Sequence, residues 1–482
     1  MGIIYIIKVW IDKVKEAFWN LSIYTCEAHN FYHLTIARDT KMSGKKFHTI
    51  ISRELIKPST PTPSNLNTYN LSELDIIAGK IYAPLFLVYP NNGNCSLTAQ
   101  DKARVLKKSL SESLTRFYHF AGRLSTHTTP YIDCNDEGVV FLVAKIDSKL
   151  DEFQLNSELD EHPERYFADD MVCYNSPHNT SLFGFQLNHF ACGGVAVAVS
   201  ISHLIADACT IGLFMNHWAS LARYGSPDHK EVLPFSPSFI HSPRTHSILS
   251  HAPAINQEHN NHVTRTFVFP NSKLSDLKNK VSATINNPTR VEVLTSLLYK
   301  TVVAAATTNY GCFNPSYLHL AINIHDKFVE KLPQTTIGTL ATFMLVPTRH
   351  ISETSLTNLV AEIKKEKMRF GRIQSVQEAA KNMKSLISIL RYQDLENGPN
   401  RKYGFSSLCG FSFDKVDFGW GKPMATAFAF RSVAENSFLL LDAVDGNGIE
   451  ARVILDKEVM EIFQNDKEML SFCQTNNFKS QL

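Results

Sequence analysis

Neither charge sign dominates this chain: 48 Lys and Arg face 46 Asp and Glu, for a net charge of +2 over 482 residues. Charge alone therefore argues for neither nucleic acid nor a membrane surface as partner. Nine cysteines are scattered with no C-x-x-C pair. An odd, dispersed set reads as reduced thiols of a cytosolic protein, several of them packing as small core hydrophobes. There is no H-E-x-x-H, no G-x-S-x-G elbow and no G-x-x-x-x-G-K-[ST] loop, which removes the common zinc hydrolase, serine hydrolase and phosphate-loop readings. No apolar run has the length of about 20 residues that spans a bilayer. The opening "MGIIYIIKVW" is apolar, but Lys8, Asp12, Lys13, Lys15 and Glu16 interrupt it, and it lacks the basic region and cleavage site of a secretory signal. No repeat of fixed period and no low-complexity domain occurs. The expectation is a soluble chain whose length and 44% hydrophobic content can bury a large core, divided into two domains.

What is present has an order. Residues 1–41 differ in texture from the rest and read as a dispensable extension or a misplaced start, with Met42 opening the functional chain. Strands and helices alternate after that. Residues 101–120 read as an amphipathic helix stopped by Gly122. "YIDCNDEGVVFLVAKI" reads as a hairpin, and "FGFQLNHFACGGVAVAVSISH" as a second one turning at Gly193 and Gly194. In its second strand, Val195, Val197, Val199 and Ile201 share one face and small residues share the other, the pattern of a buried strand that another element approaches closely. The next helix shows Ile211, Phe214, Trp218 and Leu221 at helical spacing with Gly225 to end it. Residues 234–261 are rich in Pro, Ser, His and Asn without apolar periodicity and read as a crossover between a domain at 42–233 and one at 262–482. In the second domain Thr289 and Glu292 have capping-box spacing, a long helix is expected at 356–370, and "TRTFVF", "LHLAINI", "TFMLVP", "FLLLDAV" and "EARVIL" read as strands. Residues 156–181 and 374–404 read as loops that shape a pocket.

Two short stretches carry chemistry. "SHLIADACT" puts His203 at the end of a buried strand and Asp207 four residues later, at a helix start. As a core histidine beside a capping aspartate, the pair needs no function. As a metal site it lacks further ligands nearby. As a catalytic base, His203 needs a neutral imidazole and something to orient it, which Asp207 could supply directly or by fixing the turn. Cys209 offers a thiol but reads better as packing. "VDFGWGKP" surrounds Trp420 with Gly419 and Gly421 and reads, by itself, as a structural turn rather than a phosphate loop.

Together these motifs resemble the BAHD acyltransferases, plant enzymes that move acyl groups from coenzyme A thioesters to alcohols or amines. The resemblance extends from Phe47 to the C-terminus and includes "ISRELIKPSTPTP", "RFYHFAGRL", "DCNDEGVVFLVA", "FACGGVAVAVSISHLIADA" and "TRVEVLTSLLYK". Ala208 and the "PSTPTP" opening look most like the branch of alkaloid and terpenoid O-acetyltransferases that contains vinorine synthase. The family implies an α/β, two-domain fold like chloramphenicol acetyltransferase, with mixed sheets, flanking helices and a solvent channel between the domains. It implies His203 as general base at the middle of that channel and Asp207 pointing away from substrate. Asp417 is grouped with His203 and Asp207 in the catalytic set, and its loop, usually structural in the family, would serve the coenzyme A side through Gly419, Trp420 and Gly421. It further implies acetyl-CoA as co-substrate with no permanent cofactor and no metal, an alcohol acceptor drawn from specialised metabolism, no acyl-enzyme, and a cytoplasmic monomer.

Three segments depart from the family pattern. His325 stands where relatives carry the arginine that pairs with the motif aspartate, and the expectation is a weaker pairing of His325 with Asp207. Gly338 and Thr339 replace Gly-Asn. "SLCG" replaces Ser-Trp-Cys-Arg, so Leu408 and Gly410 stand for an aromatic and a cation. The rival readings are N-acylation, a bulkier acyl donor, or a binding homologue that has lost turnover.

Overall fold

The computed structural model describes residues 48–91, 97–125, 130–152, 165–167, 181–225, 261–333, 335–396, 401–429 and 436–474. The extension at 1–41, nearly all of the crossover at 234–261, and most of 156–181 lie outside them.

The first part of the chain contributes strands β1 (His48–Ile56), β2 (Thr68–Asn70), β3 (Tyr82–Tyr89), β4 (Arg123–Leu124), β5 (Tyr131–Asp133), β6 (Val139–Ile146), β7 (Phe183–Phe190) and β8 (Val195–Ser202). Its helices are α1 (Glu73–Ala78), α2 (Ala99–Arg116) and α3 (Ala208–Tyr224). From residue 262 follow β9 (His262–Pro270), α4 (Asn271–Ser282), α5 (Arg290–Tyr310), β10 (Ser316–Asn323), β11 (Ala341–Thr348), α6 (Leu356–Arg369) and α7 (Val376–Glu396). The chain closes with β12 (Arg401–Ser407), β13 (Ala425–Phe428), β14 (Ser437–Asp442), β15 (Gly448–Asp456) and two short helices, α8 (Lys457–Phe463) and α9 (Lys467–Phe472). No described helix is long and apolar enough to cross a membrane.

Two six-stranded sheets organise these elements, in the orders β1-β6-β7-β8-β3-β13 and β11-β10-β12-β14-β15-β9, beside a three-stranded sheet β2-β5-β4. Both large sheets are mixed: β6 with β7, β10 with β12 and β12 with β14 run parallel, and their other neighbours run antiparallel. Chain order and sheet membership part company once. Strand β13, from the segment after 262, pairs with β3 at the edge of the first sheet, Ala425 opposite Val88. Each sheet has its own core. Val195, Val197, Val199 and Ile201 of β8 pack with Leu106, Leu110, Phe214 and Trp218 of α2 and α3, while Ala196 and Ala198 on the opposite face pack near Phe86, Tyr166 and Phe167. In the second sheet, alternate residues of β10, β12, β14 and β15 bury against α4, α5, α6 and α8. The other face of that sheet looks away from those helices, and its residues help to line the site described below.

Local signals explain several boundaries. Thr289 and Glu292 form a reciprocal capping box on α5, and Gly225 ends α3 in the left-handed conformation at φ 69°. Three expectations need correction. The helix expected at 101–120 ends at Arg116 and passes into a 3-10 turn, Tyr118–Ala121, and Gly122 lies at φ −83°, outside the left-handed region. A Cβ there would meet the Asp133 carbonyl oxygen at 2.5 Å, so the glycine serves close approach to β5. Residues 131–146 form no hairpin: β5 pairs with β2 and β4, and β6 with β1 and β7, with Asp136 and Gly138 at positive φ redirecting the chain between sheets. Residues 374–404 are mostly helix α7 and the start of β12, because Val376, Ala379 and Ala380 bury against Leu74, Ile324 and Leu340.

Candidate active site

The site grows out of the end of β8. The His203 amide donates to the Ile81 carbonyl at 2.7 Å, which anchors the turn to the chain entering β3. The turn then closes on itself. His203 Nδ1 lies 2.8 Å from the Ala206 carbonyl oxygen, and a carbonyl can only accept, so Nδ1 carries the proton. The neutral ring therefore keeps its lone pair on Nε2. Burial lowers the His203 pKa, opposed in part by the Ala206 bond and the Asp207 charge. The imidazole is thus held as a base.

Asp207 does different work. It caps α3, with Oδ1 accepting from the Thr210 amide at 2.8 Å, and Oδ2 accepting from the Leu340 amide at 3.0 Å. Its own amide donates to the Gly338 carbonyl at 3.2 Å, and Thr210 Oγ1 also donates to that carbonyl, at 2.9 Å. So the aspartate fixes the turn and joins it to residues 338–340 of the second part of the chain. His325 Nδ1 stands 3.7 Å from Asp207 Oδ2, an ion-pair distance rather than a hydrogen bond. Its nearer partner is Asn323 Oδ1 at 2.6 Å.

Residues 338–340 are gripped from a third side. The Thr339 amide donates to Asp75 Oδ1 at 2.8 Å, and the Thr339 hydroxyl donates to the His203 carbonyl. Asp75 is buried in α1, and the loss of solvation raises its pKa to about 6 against the pull of bonds from Ser72 and Thr339. Sequence reasoning missed Asp75, although Ser72 and Asp75 have the S-x-x-D spacing of a capping box, and one is formed.

His203, Asp207 and Cys209 line a cavity of about 490 Å³ together with Ile81, His319 and Phe343. The walls come from the end of β8, the start of α3 and strands of the second sheet. That volume falls within the 300–1,000 Å³ of small-molecule sites. Burial, then the Asp207 charge, pushes the Cys209 thiol up to about 12, so it stays protonated and is no nucleophile. Leu408 also lines the cavity. Gly410 holds φ 88°, and its amide donates to Asp442 Oδ2 at 2.5 Å; an arginine there would pay backbone strain. Among the described residues no cluster could hold a metal ion.

Asp417 and the loop after it do not reach this cavity. Asp417 Oδ1 accepts from the Gly419 and Gly421 amides at 2.8 and 3.0 Å, and Oδ2 pairs with Arg223 at 2.6 Å. Both glycines hold positive φ, 106° and 103°. Phe418 and Trp420 stack on one another, and each meets the edge of Tyr89. The Asp417 carboxylate, grouped with the catalytic residues on sequence, thus folds a turn and has no oxygen facing the His203 cavity. Of Gly419, Trp420 and Gly421, expected on the coenzyme A side, the two glycines are exposed and shape that turn, while Trp420 packs into the first core.

Residues 47–470 match the sequence profile of the Transferase family, and the chain belongs to that family as an acyltransferase. Among curated relatives, 17,18-epoxy-17-hydroxycur-19-ene N-malonyltransferase of Strychnos nux-vomica is 32% identical over 430 residues, 88% of this chain and 90% of that one. Deacetylvindoline O-acetyltransferase of Catharanthus roseus is 32% identical over 443 residues, 88% and 97% respectively. The crystal structure of vinorine synthase superposes with a TM-score of 0.71 at 26% identity, over 89% of this chain and 99% of that one. These likenesses place the chain in the vinorine synthase-like branch of the BAHD acyltransferases, with their two-domain α/β fold.

Proposed function

We propose that this chain transfers an acyl group, most simply acetyl, from acyl-CoA to a hydroxyl of a specialised metabolite of alkaloid or terpenoid type. The observation that carries the reading is the state of His203: a neutral ring, its Nδ1 proton engaged by Ala206, on the wall of a cavity large enough for a small molecule. An alcohol is a poor nucleophile near neutral pH. Nε2 takes its proton as the oxygen attacks the thioester carbonyl, a contribution of about 10²–10⁴-fold. Both substrates meet in one site, so proximity supplies much of the remaining rate and no acyl-enzyme is needed. The acyl-CoA enters through a channel between the two sheets; as the tetrahedral adduct collapses its C–S bond breaks, and coenzyme A leaves as the thiol with the proton that Nε2 had taken. We assign the reaction as one that needs no permanent cofactor, and the chain as a cytoplasmic monomer.

O-acylation is favoured over N-acylation because an amine that is already free needs less help from a base than a hydroxyl does; the N-malonyltransferase relative keeps the second reading in the test. The assay is thiol release from acetyl-CoA and from malonyl-CoA with a panel of alkaloid and terpenoid alcohols and amines. His203→Ala should lower turnover by about 10²–10⁴-fold with little loss of melting temperature. The wild-type acid limb should lie below the ordinary histidine value of about 6.5, because the base loses activity only when protonated. Full activity in His203→Ala would overturn the base assignment.

A further inference from the structure

The cavity holds polar groups that the chemistry at His203 does not use. They stand on the wall formed by the second sheet, opposite in origin to the turn that bears His203. His319 of β10 pairs with Gly404 of β12, and Gly404 pairs with Ser437 of β14, so the three lie side by side across the strands. All three line the cavity. The His319 ring meets Phe343 edge to face at 4.4 Å, and its Nε2 is buried with no hydrogen-bond partner among the described residues. Burial, then the charge of Lys402, brings its pKa down to about 4, so the ring is neutral near pH 7.

Gly404 opens the space beside the other nitrogen. A Cβ added there would stand 4.0 Å from His319 Nδ1 and 3.5 Å from Ser437 Oγ. A neutral imidazole has one proton for two nitrogens, and a buried N–H without a partner is the rarer and costlier orphan. The proton therefore belongs on Nδ1, where a ligand can meet it. The charge of the cavity limits which ligand. Its charged lining side chains are Asp207, whose oxygens are held by backbone amides, and Arg452. Among the described residues that line it there is no cluster of cations for the phosphates of coenzyme A, while the walls are mostly apolar, which suits a neutral acceptor.

We propose that His319 is a specificity-determining contact for the acceptor, its Nδ1–H donating to a second oxygen (ketone, ether or hydroxyl) of a largely apolar alcohol whose reacting hydroxyl sits at His203. This assignment rests on the acyltransfer reading above and narrows its acceptor to oxygenated alcohols with two separated polar ends.

The test uses the full chain and matched rigid alcohols with and without a remote ketone, 5α-androstan-3β-ol and its 17-oxo counterpart among them, assayed by product formation and by thermal shift. Wild type should favour the ketone member of a pair about five- to tenfold in kcat/KM, the range of one neutral hydrogen bond. His319→Leu should erase that preference through KM, lowering kcat/KM more for the ketone member than for its ketone-free partner. His319→Asn, whose side-chain amide can stand near the place of Nδ1, should keep most of it. Gly404→Ala, which meets its neighbours at ordinary contact distance, should weaken the preference while His319 stays in place. Equal use of both members by wild type, a preference that survives His319→Leu, or equal losses for both members in the Leu and Asn variants would overturn the proposal. Thioester hydrolysis without acceptor separates the two readings. If His203→Ala abolishes it and His319→Leu does not, the base assignment stands whatever the ranking. If His203→Ala retains it, the base assignment falls, and the thermal shifts of the matched pairs still decide His319.

Discussion

The turn at 203–207 and the turn at 417–421 use an aspartate in the same way and reach opposite ends. In both, a carboxylate organises backbone amides: Thr210 and Leu340 for Asp207, Gly419 and Gly421 for Asp417. The difference is the neighbouring ring. His203 has one nitrogen bonded within the turn and the other left with its lone pair beside a cavity. Phe418 and Trp420 close on Tyr89 and the first core. A motif aspartate is here a fastener in both places, and the turn whose ring keeps an unused atom facing open space is the one to which we assign the chemistry.

Removing each fastener tests that comparison. Asp207→Ala should have the largest effect, because it takes away a helix cap and strands the Leu340 amide in a buried place: about 3 kcal/mol of stability, read by denaturant unfolding. Asp207→Asn should recover much of it, and kcat per folded molecule should fall far less than in His203→Ala. A catalytic loss in Asp207→Asn as deep as that of His203→Ala would break the division of labour.

Asp417→Ala comes next, at about 1–2 kcal/mol, since its amides and Arg223 have access to water as substitutes. Arg223→Ala should cost under about 1 kcal/mol, because that side chain is 44% exposed. The KM for acetyl-CoA should hold in both variants. A raised KM with unchanged stability would show that the second turn also serves the donor, as the family expectation has it.

His325→Arg should have the smallest effect. A guanidinium can close the 3.7 Å gap to Asp207 that the imidazole leaves, so melting temperature should rise slightly, by the equivalent of about 0.5–1 kcal/mol, with activity unchanged. A fall in both would mean that Asn323 has shaped this corner around histidine.

The features legible in the sequence are those written in local spacing. The alternation of Val195 to Ile201, the turn at Gly193 and Gly194, the Thr289–Glu292 box and the helical stripe after His203 each depend on a few neighbouring residues. What stayed hidden depends on residues far apart. The bond from the Thr339 amide to Asp75 joins elements 264 positions apart, and nothing near Asp75 announces it. His319 reads as one more residue of an apolar strand until strand order sets it beside Gly404 and Ser437. The hairpin expected at 131–146 failed for the same reason: a local turn signal was present, but the flanking strands had better partners in other sheets. The helix α7 was hidden differently, since its buried stripe of small residues carries little hydrophobic contrast.

The loan of β13 to the first sheet has a consequence for how the protein is made. Strand β3 cannot gain its outer neighbour until residues 425–428 have been synthesised, and Tyr89 waits as long for the Val416 carbonyl that its hydroxyl binds at 3.0 Å. A nascent chain that has just passed residue 270, the end of β9, therefore displays an open strand edge of the kind that invites mispairing. A fragment that ends there lacks an edge strand of the sheet that bears His203. Such topology, dominated by distant pairings, makes for slow folding and gives chaperones a defined interval in which to act.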